Sequence, residues 1–191
     1  MQFQKVKSYI TARLQAELPN TLPYHSISHV LDVYESAKRI GMAEGLSGDN
    51  LKMLLTAALF HDSGFMQGGK NHELAGCLIA RDCLPDFNYS AQQIDRICSM
   101  IMATSIPQMP GNLSEEILAD ADLDYLGRDD FWTIGNKLFE ELKLSGVVTT
   151  LADWNALQIR FLEQHHYFTE TSIRTRKAQK EAHLALLKAN P

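Results

Sequence analysis

The sequence predicts an all-α fold, a compact bundle of about eight or nine helices. Three observations carry this expectation. Apolar residues recur at helical spacing along almost the whole chain. No segment sustains the period-two alternation of a half-buried strand. Proline and glycine cluster between the periodic segments, as at Pro19 and Pro23 and again at Pro107, Pro110 and Gly111.

Phe3, Val6, Ile10 and Leu14 repeat every three or four residues and predict a first amphipathic helix. Ile27, Val30, Leu31, Tyr34 and Ala37 predict a second, stopped near Gly41 and Gly45. The third, LKMLLTAALF with Asp49 as N-cap, is apolar nearly all round and should be the central buried helix. Gly64, Gly68 and Gly69 make a loop, and Asn71 is placed to cap a fourth helix that ends before Pro85. Ser90 and Gln93 form a capping-box pattern opening a fifth, which carries Ile94, Ile97 and Ile101. Ser114 is expected to open a sixth holding three aspartates. Further helices are expected near Asp129–Lys143, Thr150–His166 and Thr169–Lys188.

The 191 residues fit one domain spanning the chain. Its core is expected over residues 20–145, with C-terminal helices over 149–190 packed on it. The chain is 45% hydrophobic and 21% charged, with a formal net charge of −5. That charge argues against a general nucleic-acid binder. The basic stretch of Arg174, Arg176, Lys177 and Lys180 reads as a solvated helix face. No apolar run reaches the roughly 18–20 residues of a membrane span. The N-terminus MQFQKVKSYI lacks the apolar stretch of a signal peptide. Cys77, Cys83 and Cys98 are odd in number with no paired spacing, so they read as reduced packing residues. A cytoplasmic protein is the expectation, with its oligomeric state left open.

Chemistry enters through histidine and aspartate. His25 and His29 lie four apart. If the second helix already includes His25, both project from one face. His61 and Asp62 follow the most apolar helix directly, where unpaired burial would cost several kcal/mol. A metal would satisfy both, although an ordinary helix end would also explain them. Asp120 and Asp124 share a helical face and Asp122 points elsewhere, so a metal can see Asp122 or the Asp120/Asp124 pair. Periodicity leaves that choice open. A mixed nitrogen and oxygen set suits iron, manganese, zinc, nickel or cobalt better than calcium.

The order Tyr24-His25-Ser-Ile-Ser-His29, then Ala58-Leu59-Phe60-His61-Asp62, then Asp120-Ala121-Asp122-Leu123 resembles the HD-domain superfamily of metal-dependent phosphohydrolases. The resemblance implies an HD-type helical fold with His29, His61, Asp62 and Asp122 as metal ligands. It is the resemblance that selects Asp122. It implies a divalent transition metal, with a second metal or magnesium as an open extension, and a small phosphorylated substrate such as a nucleotide. Cyclic-nucleotide phosphodiesterases of this superfamily carry a similar Tyr-His-Asn-x-x-His segment. From it His25 inherits the role of leaving-group acid, although this chain is shorter and has Ser26 in place of Asn.

Small stand-alone bacterial HD proteins are also similar, over roughly residues 20–185. The supporting segments include Lys70-Asn-His72-Glu73, Ala103-Thr104, Asp122 to Phe131, and Gln158-x-x-Phe161-Leu162-x-x-His165-x-Tyr167-Phe168-Thr169. The last marks kinship, not chemistry. The expected mechanism is attack on phosphorus by metal-activated water, with Asp62 holding the metal and His25 protonating the leaving oxygen. Lys70 is the expected phosphate-binding cation. His72 is expected to bind the substrate or a second metal, with Asp62 then bridging. His165 and His166 are expected to pack or face water. The competing readings are an HD-fold sensor with little turnover, a cyclic-nucleotide-type phosphodiesterase, and a helical scaffold with incidental histidines.

Overall fold

The computed structural model describes residues 1–189. Among these residues the fold is all helical: α1 (Phe3–Glu17), α2 (Ile27–Ala43), α3 (Gly48–Phe60), α4 (His72–Cys83), α5 (Ala91–Met102), α6 (Leu113–Asp122), α7 (Phe131–Leu144), α8 (Leu151–Gln164) and α9 (Glu170–Ala189). Single 3-10 turns at Ser63–Gln67, Leu84–Phe87 and Asp124–Gly127 join neighbouring helices. Residue 190, the end of the expected C-terminal helical region, and residue 191 lie outside the described residues.

The apolar α3 is the axis of the fold. Every residue from Met53 to Phe60 is buried, and α1, α2 and α5 pack around it. Each large apolar side chain fully buried there contributes about 1.5–3 kcal/mol. One apolar core spans α1 to α6. A second joins Tyr24, Leu123, Tyr125, Leu126, Phe131, Leu162 and Leu187, tying the three C-terminal helices to the turn after α6. No helix among the described residues is long and apolar enough to cross a membrane.

The caps follow the sequence in part. Ser90 Oγ accepts from Gln93 N at 3.3 Å, and Gln93 returns a bond to Ser90 N at 2.9 Å. Thr150 and Asp153 make the same reciprocal box at α8. Three expectations need correction. Ser47, not Asp49, holds the N-cap position of α3, and Asp49 sits in the first turn, paired with Lys52 at 3.0 Å. Asn112, not Ser114, caps α6, its side chain accepting from Ser114 N and Glu115 N. Asn71 precedes α4 as expected but caps through no side-chain bond; it adopts φ +55, which asparagine tolerates better than most residues.

The basic face of α9 is only half solvated. Arg174 and Lys177 are exposed. Arg176 instead reaches Asp124 at 2.8 Å. Lys180 is buried and donates to Leu162 O and His165 O, the terminal carbonyls of α8. The three cysteines are free and buried, as expected of packing residues.

Candidate metal centre

The packing of α2 against both α3 and α6 brings three distant segments to one point. His29 comes from the first turn of α2, His61 and Asp62 from the end of α3, and Asp122 from the last residue of α6. Their donor atoms face inward. His29 Nε2 lies 3.1 Å from Asp122 Oδ1 and 3.4 Å from Asp62 Oδ2. His61 Nε2 lies 3.2 Å from Asp62 Oδ2, 3.4 Å from Asp122 Oδ1 and 3.4 Å from His29 Nε2. Adjacent ligands about 2.1 Å from one cation stand roughly 3 Å apart; His29, His61 and Asp122 offer atoms all within 4.8 Å of one another, which suits one coordination sphere, and Asp62 flanks it beside the two imidazoles.

Tautomers reinforce the geometry. His61 Nδ1 lies 2.8 Å from Ala58 O and donates to it, which leaves the Nε2 lone pair turned to the carboxylates. Asp62 Oδ2 is buried and has no hydrogen-bond donor. Converging lone pairs without donors are costly in a protein interior unless positive charge lies between them. The ionisation of the cluster reports the same demand for positive charge, which a proton on His61 Nε2, or a cation displacing it, would meet. Burial opposes charging His61, yet the Asp62 and Asp122 carboxylates hold its pKa well above the ordinary value. Burial would raise Asp62 and Asp122, yet the neighbouring imidazoles hold both far below the usual carboxylate range. These residues fit a divalent cation.

His25 sits one residue before the N-cap of α2, not inside the helix, so helical spacing does not place it beside His29. Its place is fixed by Glu141 of α7. Glu141 Oε2 accepts from Tyr24 N and His25 N, both at 3.0 Å, while His25 Nδ1 donates to Oε1 in a very short contact. Burial alone would lower the His25 pKa, but the bond to Glu141, with the charges of Asp62, Glu141 and Asp122, outweighs it and raises the value. The His25 ring stacks on Phe65 at 4.1 Å, and Phe65 stacks on His72 at 4.3 Å. His72 Nε2 stands 3.5 Å from Asp62 Oδ1 and 3.6 Å from Glu73 Oε1.

Glu141 was missed by the sequence reading, although a signal existed. It follows Ile134 and Leu138 at helical spacing, so a charged residue occupies an apolar face. Phe65, in the turn after the His-Asp pair, carried no comparable signal.

The alternative aspartates have other partners. Asp120 accepts from Phe168 N, Thr169 N and Thr169 Oγ1, at 2.9, 2.8 and 2.7 Å, and so anchors the start of α9. Asp124 is buried among Arg39, Arg176 and Arg128, at 2.7, 2.8 and 3.5 Å. The helix breaks at Leu123, so Asp120 and Asp124 do not share a face after all. Lys70 is exposed on the loop before α4 and does not line the cavity beside the centre. The expected pairing of Lys70 with the site is therefore not found. His165 packs between Phe161 and Tyr167, and His166 is exposed.

A cavity of about 240 Å³ opens from Asp62 and Asp122. His25, His72, Glu73 and Thr104 line its near end. Helices α7 and α8 supply an apolar far end, including Leu138, Trp154 and Phe161.

Comparison with known proteins bears on the fold and the family. Solved structures of the same fold include a predicted HD superfamily hydrolase from an uncultured Thermotogales bacterium. It is 20% identical over 95% of this chain and 89% of that one, with a TM-score of 0.62. Bacillus subtilis YpgQ in complex with ADP is 19% identical over 99% of this chain and 95% of that one, with a TM-score of 0.70. A protein from Lactobacillus plantarum is 18% identical over 99% and 98%, with a TM-score of 0.65. At these identities the likeness shows the fold. No curated protein matches the chain significantly. The HD domain family, by contrast, matches residues 26–125, which include His29, the His61-Asp62 pair and Asp122. The chain belongs to the HD-domain family.

Proposed function

We propose that this protein is a metal-dependent phosphohydrolase acting on a small phosphate ester, with His29, His61, Asp62 and Asp122 as the metal ligands. The observation that carries the reading is that His29, His61 and Asp122 converge within 4.8 Å of one another, with Asp62 Oδ2, buried and lacking any donor, 3.2–3.4 Å from both imidazoles. When bound there, a divalent transition metal supplies Lewis acidity toward water and a phosphoryl oxygen.

The chain's own residues do the rest. Glu141 accepts the hydrogen bond from His25 Nδ1–H, so Nε2 is the ring nitrogen left to protonate a leaving oxygen. Stacking on Phe65 holds that ring in register with His72. His72, against Asp62 Oδ1, binds substrate phosphate or joins Asp62 and Glu73 around a second cation. The exposed Lys70 has no part in this reading. A nucleotide is the favoured ester, because YpgQ, which has the same fold, was solved with ADP.

The test is metal analysis joined to a phosphatase and phosphodiesterase panel with added manganese, iron, zinc, nickel and cobalt. Asp62→Ala should lose the metal and the hydrolysis together. His25→Ala should keep the metal and slow turnover roughly 10²–10⁴-fold. Full activity in metal-free Asp62→Ala would end the proposal. Tight metal and nucleotide binding without turnover by the native protein would replace it with the sensor reading.

A further inference from the structure

A second cavity, of about 390 Å³, lies between α7, α8 and the end of α9. That volume is within the range of small-molecule sites. Trp154 and Gln158 form a wall shared with the metal-side cavity, whereas Gly135 lines only this one. Three carboxamides, Asn136, Asn155 and Gln158, and two indoles, Trp132 and Trp154, face it. No charged side chain lines it among the described residues. Trp132 is 42% exposed, so the cavity is reached from solvent.

Gln158 is 8% exposed, and its amide has no hydrogen-bond partner among the described residues. A buried amide left unpaired is costly. Its direction is read from Gly135, where an added Cβ would lie 3.4 Å from Gln158 Oε1. Packing does not require that glycine. The added Cβ would otherwise meet only Trp154 Cζ2, at 3.9 Å, and both are ordinary contacts. The backbone does not require it either, since Gly135 lies inside α7, where glycine costs stability relative to alanine. What the bare position provides is open space beside an unpaired amide.

The lining selects among ligand classes. An ion would be desolvated without a counter-charge. A hydrocarbon would leave the buried amide of Gln158 unpaired. A sugar ring meets both demands. Its adjacent hydroxyls donate and accept side by side, as carboxamides do. Its C–H groups suit the electron-rich face of an indole.

We propose that this cavity is a binding site for a neutral saccharide, with Trp132 and Trp154 against the C–H face of the ring and the three carboxamides pairing with its hydroxyls. The inference goes beyond the phosphohydrolase reading and does not rest on it, because the ligand carries no phosphate and the cavity contains no residue of the metal cluster.

The experiment is a fluorescence titration of the native protein with D-glucose, D-galactose, N-acetylglucosamine and maltose. The chain has two tryptophans and both line this cavity, so their emission reports on it. At least one of the four sugars is expected to give a saturable change with a Kd of about 1 mM or below. Gln158→Leu removes the amide, keeps the bulk and should weaken that sugar about tenfold, the contribution of one or two neutral hydrogen bonds. Gly135→Ala sets a methyl group against the amide and should weaken it about fivefold or more. Alanine favours the helix, so this variant serves even if Gln158→Leu does not fold. Gly135 does not line the metal-side cavity, so its effect assigns the ligand to this one. No saturable change with any of the four sugars up to about 20 mM overturns the proposal. So does a sugar affinity that Gly135→Ala leaves within about twofold of native. Cyclohexanol, a ring with a single hydroxyl, should bind about tenfold more weakly than the best sugar. Equal binding of cyclohexanol overturns the proposal in favour of a plain apolar groove, and tighter binding of adenosine overturns it in favour of a planar heteroaromatic occupant.

Discussion

Replacing Glu141 separates what holds the site entrance from what the site does. Glu141 is buried and accepts three hydrogen bonds from the segment before α2, two from backbone N–H groups and one from His25 Nδ1. Glu141→Ala strips both backbone donors of their acceptor. A buried donor left unpaired costs about 1–3 kcal/mol, and His25 is partly exposed, so about 3 kcal/mol is expected in total. For a chain of this size that lowers Tm by roughly 6–12 °C.

Glu141→Gln is the sharper variant. Its amide oxygen keeps both backbone bonds, so the stability loss should be near 1 kcal/mol. Its NH₂ now faces Nδ1, and the negative charge is gone. Because Glu141 raises the His25 pKa, its neutral replacement lowers it. If the imidazolium of His25 is the acid, the high-pH limb of the rate profile moves to lower pH. Turnover above neutrality then falls about 10–100-fold, with bound metal unchanged. Thermal melts, metal content and a pH–rate profile check each part. Glu141→Ala melting within about 2 °C of the native protein would refute the structural argument. An unshifted profile in Glu141→Gln would refute the catalytic one.

Two further outcomes are expected. At Gly64 a Cβ would lie 1.9 Å from His72 O, where ordinary contact needs about 3.3 Å, so Gly64→Ala must displace the start of α4 by more than about 1 Å. It should cost about 1–3 kcal/mol and impair turnover while a first metal still binds, read by denaturant melts and metal titration, since His29, His61 and Asp122 lie on other segments. His165 gives a pH dependence: burial first, and then the charge of Lys180, push its pKa down to about 3, below the unfolded value, so the fold favours the neutral ring. Stability should therefore fall as pH drops from about 6.5 toward 3, with a ceiling of about 5 kcal/mol that partial exposure of the ring reduces, and His165→Phe should flatten that slope in urea melts taken across the range.

The helices were legible because periodicity is local. The apolar faces of α1, α2 and α5 and the all-round apolarity of α3 survive in the folded chain, since each reports only how a residue relates to those three and four positions away. Cap positions were less legible. Ser47 and Asp49, or Asn112 and Ser114, are equally good candidates by residue type, and only the backbone path decides which stands at the boundary.

The candidate site divides along the same line. His29, His61, Asp62 and Asp122 were named through family resemblance, and the helix packing brings them together. By chemistry alone Asp120 and Asp124 were rivals to Asp122. What separates them is tertiary: the start of α9 claims Asp120, and three arginines from separate segments surround Asp124. Glu141 meets His25 across 116 positions of chain, and Lys70, close in sequence to the His-Asp pair, stays exposed outside the cavity. The amino-acid order by itself thus determined an all-helical chain and a short set of metal-binding candidates, because spacing and residue chemistry are properties of neighbours. Which carboxylates face the cluster and which glutamate holds His25 were decided only when helices far apart in sequence packed together, since a side chain's partner depends on distance in space.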